Sequence, residues 1–266
     1  MTSSETGEVR AARDEEQVTR PTVVVHRDAS EACAAISRSI AEAVALRERA
    51  VLGLATGSTM VGVYTEVVRL VGAKELDLSD VTTFNLDEYL GVDRDDPRSF
   101  RTFMREQLFE PGHVDPTRAH FPDAELAASD PLGAARAYEG MIRESGGIDL
   151  QLLGLGRNGH VAFNEPPADP ASRTRVVSLA ATTREDAAST FGSIDDVPRE
   201  AITMGVRTIL EARRIRVLAL GERKADVVRR ALEGPVSPEV PASHLREHAD
   251  VVFHLDAAAA SLLGSD

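Results

Sequence analysis

The chain is short of several things at once: one cysteine, two lysines and no tryptophan in 266 residues. A lone Cys33 excludes an internal disulfide and suits the reducing cytoplasm. With 4% aromatics but 42% hydrophobic residues, the core must be built mainly from aliphatic side chains. No apolar run approaches the roughly 18 residues of a membrane span, and the first twenty residues lack the apolar centre of a signal peptide. Positive charge is scarce too: 43 acidic residues against 30 basic leave a net charge of −13, which argues against nucleic acid as a partner. An anionic ligand would need a local positive pocket working against that field. Neither a His-Glu-x-x-His pattern nor a Cys/His cluster offers metal ligands, so no metal is expected. A Gly-x-Ser-x-Gly elbow, a nucleoside-triphosphate loop and a Gly-x-Gly-x-x-Gly turn are missing as well, and no cofactor is implied. Because arginine supplies nearly all the basic charge, the two lysines, Lys74 and Lys224, attract notice.

What is present is a repeated alternation of apolar runs and amphipathic stretches. Residues 1–21 are polar and mixed in charge, and read as a disordered tail. From residue 22 to 266 the pattern is that of one α/β domain. Short apolar strands are expected at 22–26, 50–55, 81–86, 149–155, 215–220 and 251–255, with an alternating strand at 174–179. Helices are expected from about residue 28 onward, after 59, over 99–109, 131–144, 183–190 and 222–232, and in the alanine-rich C-terminus. The stretch 111–130, with three prolines, reads as an irregular crossing, and 198–213 as a segment broken at Gly205 that ends in a helix. Continuous apolar strands between helices imply an open, mostly parallel Rossmann-like three-layer sheet with helices on both faces.

In such sheets ligands bind beyond the carboxyl ends of the strands. Residues following the strands therefore identify the candidate site. They are Thr56-Gly57-Ser58-Thr59, then Asp87-Glu88, then the stretch Leu-Gly-Leu-Gly-Arg-Asn-Gly-His-Val-Ala-Phe-Asn-Glu-Pro over 153–166, then Gly221-Glu222-Arg223-Lys224. Taken alone, the glycine-rich stretch could be a turn whose polar groups cap a helix. Its convergence with the other strand ends points instead to an active site. Thr56, Gly57, Ser58 and Thr59 open a helix, where free N–H groups and the helix dipole can hold a phosphate, and Lys224 can add a cation. Asp87 is placed to be a general base, unless it serves only as a helix cap; Glu88 should face away from it. His160 can move a proton on a sugar or carbonyl oxygen, with Glu165 orienting its ring. These groups suit metal-free acid–base chemistry on a small phosphorylated molecule.

Ala55 to Thr59, Phe84 to Gly91, Gly154 to Pro166, Ala171 to Arg175 and Ile215 to Lys224 closely resemble the signatures of the glucosamine-6-phosphate deaminase family. The resemblance runs from about Val23 to Leu263. It implies conversion of D-glucosamine 6-phosphate and water to D-fructose 6-phosphate and ammonia, without a cofactor. Asp87, Asn158, His160 and Glu165 would be the catalytic group, and Thr56, Gly57, Ser58, Thr59 and Lys224 the phosphate site. His160 would assist ring opening and Asp87 would carry the proton from C2 to C1. The family spans monomers to hexamers, so a homo-oligomer is among the expectations.

Two departures stand out. Ser189 falls where the family usually has an arginine that clamps the phosphate, which makes Arg184 or Arg207 the expected compensating cation, or else implies another amino-sugar phosphate as substrate. The alternative outside catalysis is a sugar-phosphate sensor. Arg175 is followed two residues on by Val177 rather than lysine, so the family's allosteric activation is not expected.

Overall fold

The computed structural model describes residues 21–264. All but Pro21 of the tail expected over 1–21 lies outside them. Seven strands form one sheet: β1 (Thr22–His26), β2 (Val51–Leu54), β3 (Thr82–Asn85), β5 (Ala119–His120), β6 (Leu150–Gly154), β9 (Ile215–Ala219) and β10 (Val251–Asp256). Their spatial order is β1-β10-β9-β6-β2-β3-β5, and every pairing is parallel. All four residues of β2 are buried, as expected of a strand covered on both faces. The covering helices are amphipathic. In α1 (Ala29–Ala45) the buried residues Cys33, Ile36, Ile40 and Ala43 recur at helical spacing, and the Asp28 carboxylate caps its start by accepting from Glu31 N at 2.9 Å. In α2 (Ser58–Gly72) Met60, Val63, Tyr64, Val67 and Leu70 do the same. Among the described residues, no helix is long and apolar enough to cross a membrane.

Topology fixes where a ligand can enter. From β2 the chain builds outward through β3 and β5, then returns to place β6 on the other side of β2 and continues through β9 and β10. The direction therefore reverses between β2 and β6. Loops leaving the carboxyl ends of these two neighbours diverge there and open a crevice.

A second sheet, not anticipated from the sequence, sits over that crevice. It is antiparallel, in the order β4-β8-β7, from β4 (Asp87–Tyr89), β8 (Glu200–Thr203) and β7 (Arg175–Ser178). Its core is separate from the aliphatic one: Tyr89, Phe100, Phe163 and Phe191 pack ring against ring, with centroids 4.7 to 5.9 Å apart. Four of the few aromatic residues are thus gathered in one place.

Other expectations need correcting. The proline-containing crossing holds both β5 and α4 (Ala124–Ser129), the latter capped by Asp123. The helix expected over 99–109 is α3 (Phe100–Met104), which continues as a π-helix over Arg105–Phe109. Among the described residues the expected C-terminal helix does not form. The Asp256 carboxylate accepts from both Gly221 N and Ala259 N, and residues 257–263 turn back instead. So short a segment cannot offset helix nucleation by propensity alone.

Candidate active site

Two buried tyrosines anchor the strand ends at the crevice. Tyr64 donates its hydroxyl to Ala55 O and Tyr138 to Asn85 O, each at 2.5 Å. Burial raises both phenols, so they remain neutral donors. Beyond Ala55 the chain enters Gly57 at φ 107°, a backbone conformation that favours glycine, and α2 begins at Ser58. No side chain caps this helix start, leaving the first N–H groups of α2 turned toward the crevice. The crevice holds a cavity of about 620 Å³, lined by Thr56, Gly57, Ser58 and Thr59 on one side.

Lys224 borders the same cavity, in a 3₁₀ turn over Glu222–Lys224 ahead of α8 (Ala225–Glu233), and its ammonium donates to Leu155 O at 2.6 Å. Burial lowers its pKa; the Asp186 carboxylate opposes that shift and the Arg157 guanidinium adds to it. The four hydroxyl and glycine residues and Lys224 therefore meet in one place.

Asp87 reaches the cavity from β4 and is only 6% exposed. Burial, with help from the adjacent Glu88 charge, raises its pKa well above the usual carboxylate range. Glu88 faces away, as alternation along a strand requires. It accepts from Phe100 N and Arg101 N, each at 3.0 Å, at the start of α3.

His160 arrives on the loop after β6. Glu165 Oε2 lies 3.2 Å from its Nδ1, and Asn158 donates to the same carboxylate oxygen at 2.7 Å while accepting from His160 N at 3.1 Å. Asn158 thus shapes the loop and steadies Glu165, without touching the imidazole itself. Glu165 also accepts from the Thr183 hydroxyl at 2.5 Å and from Ala180 N at 3.3 Å. Burial works to raise its pKa, but the hydrogen bond and charge of His160, with those from Thr183 and Asn158, bring it down to about 2. The His160 ring lies directly against Gly156, where a Cβ would overlap it. Below the loop, buried Asn164 donates to Val161 O and Met204 O and accepts from Arg175, fixing the loop to the small sheet.

Of the expected residues, Asp87, His160, Thr56, Gly57, Ser58, Thr59 and Lys224 line this one cavity, with Glu165 and Asn158 directly behind His160. The two candidate compensating cations do not reach it. Arg184 lies on α6 (Ala181–Phe191), but about 100° of helical rotation per residue turns it off the face carrying Thr183, Asp186 and Thr190. Its guanidinium donates to Ile194 O instead. Arg207, on α7 (Val206–Leu210), is tied to Glu211 at 3.0 Å. Ser189 does line the cavity. Residues not foreseen from sequence are Thr183, the Arg157–Asp186 ion pair, and the aromatic wall of Tyr89, Phe100 and Phe163. Only their type was visible; their approach depends on how α6 and the small sheet fold over the crevice. A second cavity, of about 560 Å³, opens at the opposite ends of the strands, where Arg173 is already bound by Glu139 and Glu211.

Comparison with known proteins agrees with this geometry. Residues 26–253 match the protein family described as glucosamine-6-phosphate isomerases/6-phosphogluconolactonase. A glucosamine-6-phosphate deaminase of Rhodopirellula baltica is 49% identical over 89% of this chain and 93% of its own. Glucosamine-6-phosphate deaminase 2 of Bacillus subtilis is 43% identical over 91% and 98%. The structure of a monomeric glucosamine-6-phosphate deaminase superposes with a TM-score of 0.87 at 42% identity, over 91% of this chain and 99% of that one. A 6-phosphogluconolactonase from Trypanosoma brucei shares the fold at a TM-score of 0.74 and 24% identity, over 92% and 99%.

Proposed function

The chain belongs to the glucosamine-6-phosphate isomerase/6-phosphogluconolactonase family, and from that premise we propose that it converts D-glucosamine 6-phosphate and water to D-fructose 6-phosphate and ammonia. The observation that carries this reading is that Asp87 and His160, the latter backed by Glu165, share one cavity with the uncapped start of α2. Isomerisation needs a base that takes a proton from C2 and returns it to C1. A lactonase acting at C1 has no use for such a base.

In this reading the phosphate sits on the free N–H groups at the start of α2 and the hydroxyls of Thr56, Ser58 and Thr59, with Lys224 balancing its charge. His160 moves the proton between the ring oxygen and the anomeric hydroxyl as the sugar opens. Glu165, whose lowered pKa keeps it an anion well into acid, holds the ring orientation and favours the imidazolium that forms. Asp87 then shuttles the C2 proton to C1, which leaves an imine at C2; water adds to that carbon and the amine departs as ammonia, giving the C2 ketone. Its raised pKa makes it a stronger base once ionised, and the substrate ammonium favours that ionised form. Residues 22–266 act as one α/β unit in this scheme, in the cytoplasm, on a small molecule. One chain supplies all the groups named, so the reaction does not call for a homo-oligomer.

Ammonia release from glucosamine 6-phosphate, measured beside galactosamine 6-phosphate and mannosamine 6-phosphate, tests the reading. Brisk turnover of the first supports it. Turnover of another alone would reassign the substrate, and tight binding without ammonia from any would mean a sensor.

A further inference from the structure

A dianionic phosphate at the start of α2 carries more charge than Lys224 alone can balance, and the Lys224 ammonium already gives one of its hydrogens to Leu155 O at 2.6 Å. Ser189 brings no charge to that end of the cavity, and Arg184 and Arg207 are bound elsewhere. Two other arginines do line the cavity, Arg157 and Arg223. Arg157 sits on the histidine loop, between Gly156 and Asn158. Its guanidinium grips Asp186 with both prongs, Nε at 3.0 Å and Nη2 at 2.6 Å, with Glu185 3.9 Å away.

Resting on the function proposed above, we propose that Arg157 is the second phosphate-binding cation, and that Asp186 holds it in the empty enzyme. A two-pronged guanidinium–carboxylate contact has the geometry that a guanidinium makes with two phosphate oxygens. Arg157 and Asp186 line the same cavity as Lys224, and the Lys224 ammonium is bonded to Leu155 O, two residues before Arg157 on the same loop, which places the pair at the Lys224 end of the cavity. There, the Asp186 carboxylate would repel an arriving phosphate unless it were neutralised. Arg157 neutralises it, and a phosphate carrying two negative charges then competes for the same fork. The exchange couples the two ends of the substrate. Thr183 and Asp186 are three residues apart on α6, so one helix face carries both the hydroxyl that binds Glu165 and the carboxylate that binds Arg157. The substrate class implied is a monophosphate ester, with recognition by Arg157 and Lys224 in place of an arginine at position 189.

The test is the Michaelis constant for glucosamine 6-phosphate together with the dissociation constant for inorganic phosphate, titrated directly into the full-length protein. Arg157→Gln should raise both constants about ten- to hundredfold, with kcat changed less than about threefold. Arg157→Lys, which keeps the charge but loses the fork, should recover only part of the loss. Asp186→Asn should tighten phosphate binding, because the competitor is gone. Arg223→Gln, an exposed cation without a partner among the described residues, should shift the phosphate constant less than about twofold. Unchanged phosphate binding in Arg157→Gln, or a loss confined to Arg223→Gln, overturns the proposal. Weaker phosphate binding in Asp186→Asn overturns the exchange, since Asp186 would then be aiming Arg157 rather than withholding it. Phosphate titration needs no turnover. An enzyme that releases no ammonia but loses phosphate with Arg157→Gln would refute the proposed reaction and leave this inference standing. Thermal melting of each variant separates a binding loss from a folding loss.

Discussion

Asp87 and Glu88 are adjacent in β4, and their carboxyls serve opposite sides of it. Asp87 opens onto the cavity with no hydrogen-bond partner for its carboxyl among the described residues, while Glu88 accepts three backbone N–H groups, from Tyr89, Phe100 and Arg101. The pleat of a strand makes this division obligatory. Glu88 caps the short helix α3, and α3 supplies Phe100 to the aromatic wall. One carboxylate is therefore bound into structure, and its neighbour is left free and desolvated at the reacting end.

Asp87→Asn should lower kcat by about 10²–10⁴-fold while raising the melting temperature at neutral pH. The folded-state pKa of Asp87 lies above its unfolded value. Its effect on stability is therefore most favourable below the unfolded pKa, and that advantage is lost as pH rises through the folded pKa. At pH 7, well above the unfolded pKa, the desolvated carboxyl is a net cost, which asparagine removes. The gain in melting temperature should shrink as the pH is taken down toward 4. A melting temperature that drops at every pH would refute this account of Asp87.

Gly156→Ala should disable His160 without unfolding the protein. A Cβ at position 156 would overlap the imidazole ring, so the ring must leave its place beside Glu165. Misplacing a catalytic group by about 1 Å costs on the order of a hundredfold in rate. We expect kcat to fall by about that factor while phosphate binding falls much less, since the start of α2 and Lys224 lie on other elements and the clash is with the imidazole and not with the Arg157 side chain. Retained turnover would mean that His160 acts from a different rotamer.

Glu165→Gln should cost both activity and about 1–3 kcal/mol of stability at neutral pH. The carboxylate serves four groups, and an amide oxygen cannot satisfy them all. Because its folded pKa of about 2 lies below the ordinary 4.5, its contribution is complete above pH 4.5 and lost as pH falls through 2. The difference in stability between Glu165→Gln and wild type should accordingly narrow in acid. A constant gap from pH 7 to pH 2 would show that Glu165 acts through packing, not charge.

Far from the site, β1 and β10 meet through two histidines, His26 Nε2 lying 3.0 Å from His254 Nδ1. Burial, then the charges of His26, Arg216 and Arg38, lowers the pKa of His254 to about 4. A His that resists protonation when folded stabilises the protein above its unfolded pKa near 6.5, and that stability drains away as pH falls toward 4. His254→Phe should flatten the pH dependence of the melting temperature between those limits. An unchanged slope would assign the acid sensitivity to other groups.

The parts legible in the sequence were those in which residue type and position carry the same information. Strands β2, β6 and β9 are largely apolar and β3 is β-branched up to Phe84, and the groups just beyond them, Thr56 to Thr59, Asp87 and His160, belong to the crevice for topological reasons. The small sheet was legible only in part. Alternation announces β7 inside the strand expected over 174–179, but β4 has three residues and β8 begins with an exposed Glu200 after a proline-containing turn, so neither periodicity nor apolar content announces its partners. Arg184 and Arg207 show the same limit from the other side. Composition identifies a cation, but only the face of the helix decides where its charge goes, and both are already bound. Thr183 and Asp186 were missed because α6 reaches the site only by folding over it.

Ser189→Arg asks whether the phosphate end still accepts the clamp that this chain replaces. Ser189 lines the cavity on α6, one turn beyond Asp186, so an arginine there would extend toward the same anion as Lys224 and Arg157. A charge-assisted hydrogen bond is worth about 1.5–3 kcal/mol, and the Michaelis constant for glucosamine 6-phosphate should fall about tenfold or more. A long cation at 189 would also compete for Asp186 and free Arg157, so the substitution should rescue part of the binding lost in Arg157→Gln. The double variant therefore reads the coupling directly. If the two effects are simply additive, the two arginines bind independently; if Ser189→Arg leaves the Michaelis constant unchanged, the phosphate does not sit between α2 and Lys224 at all.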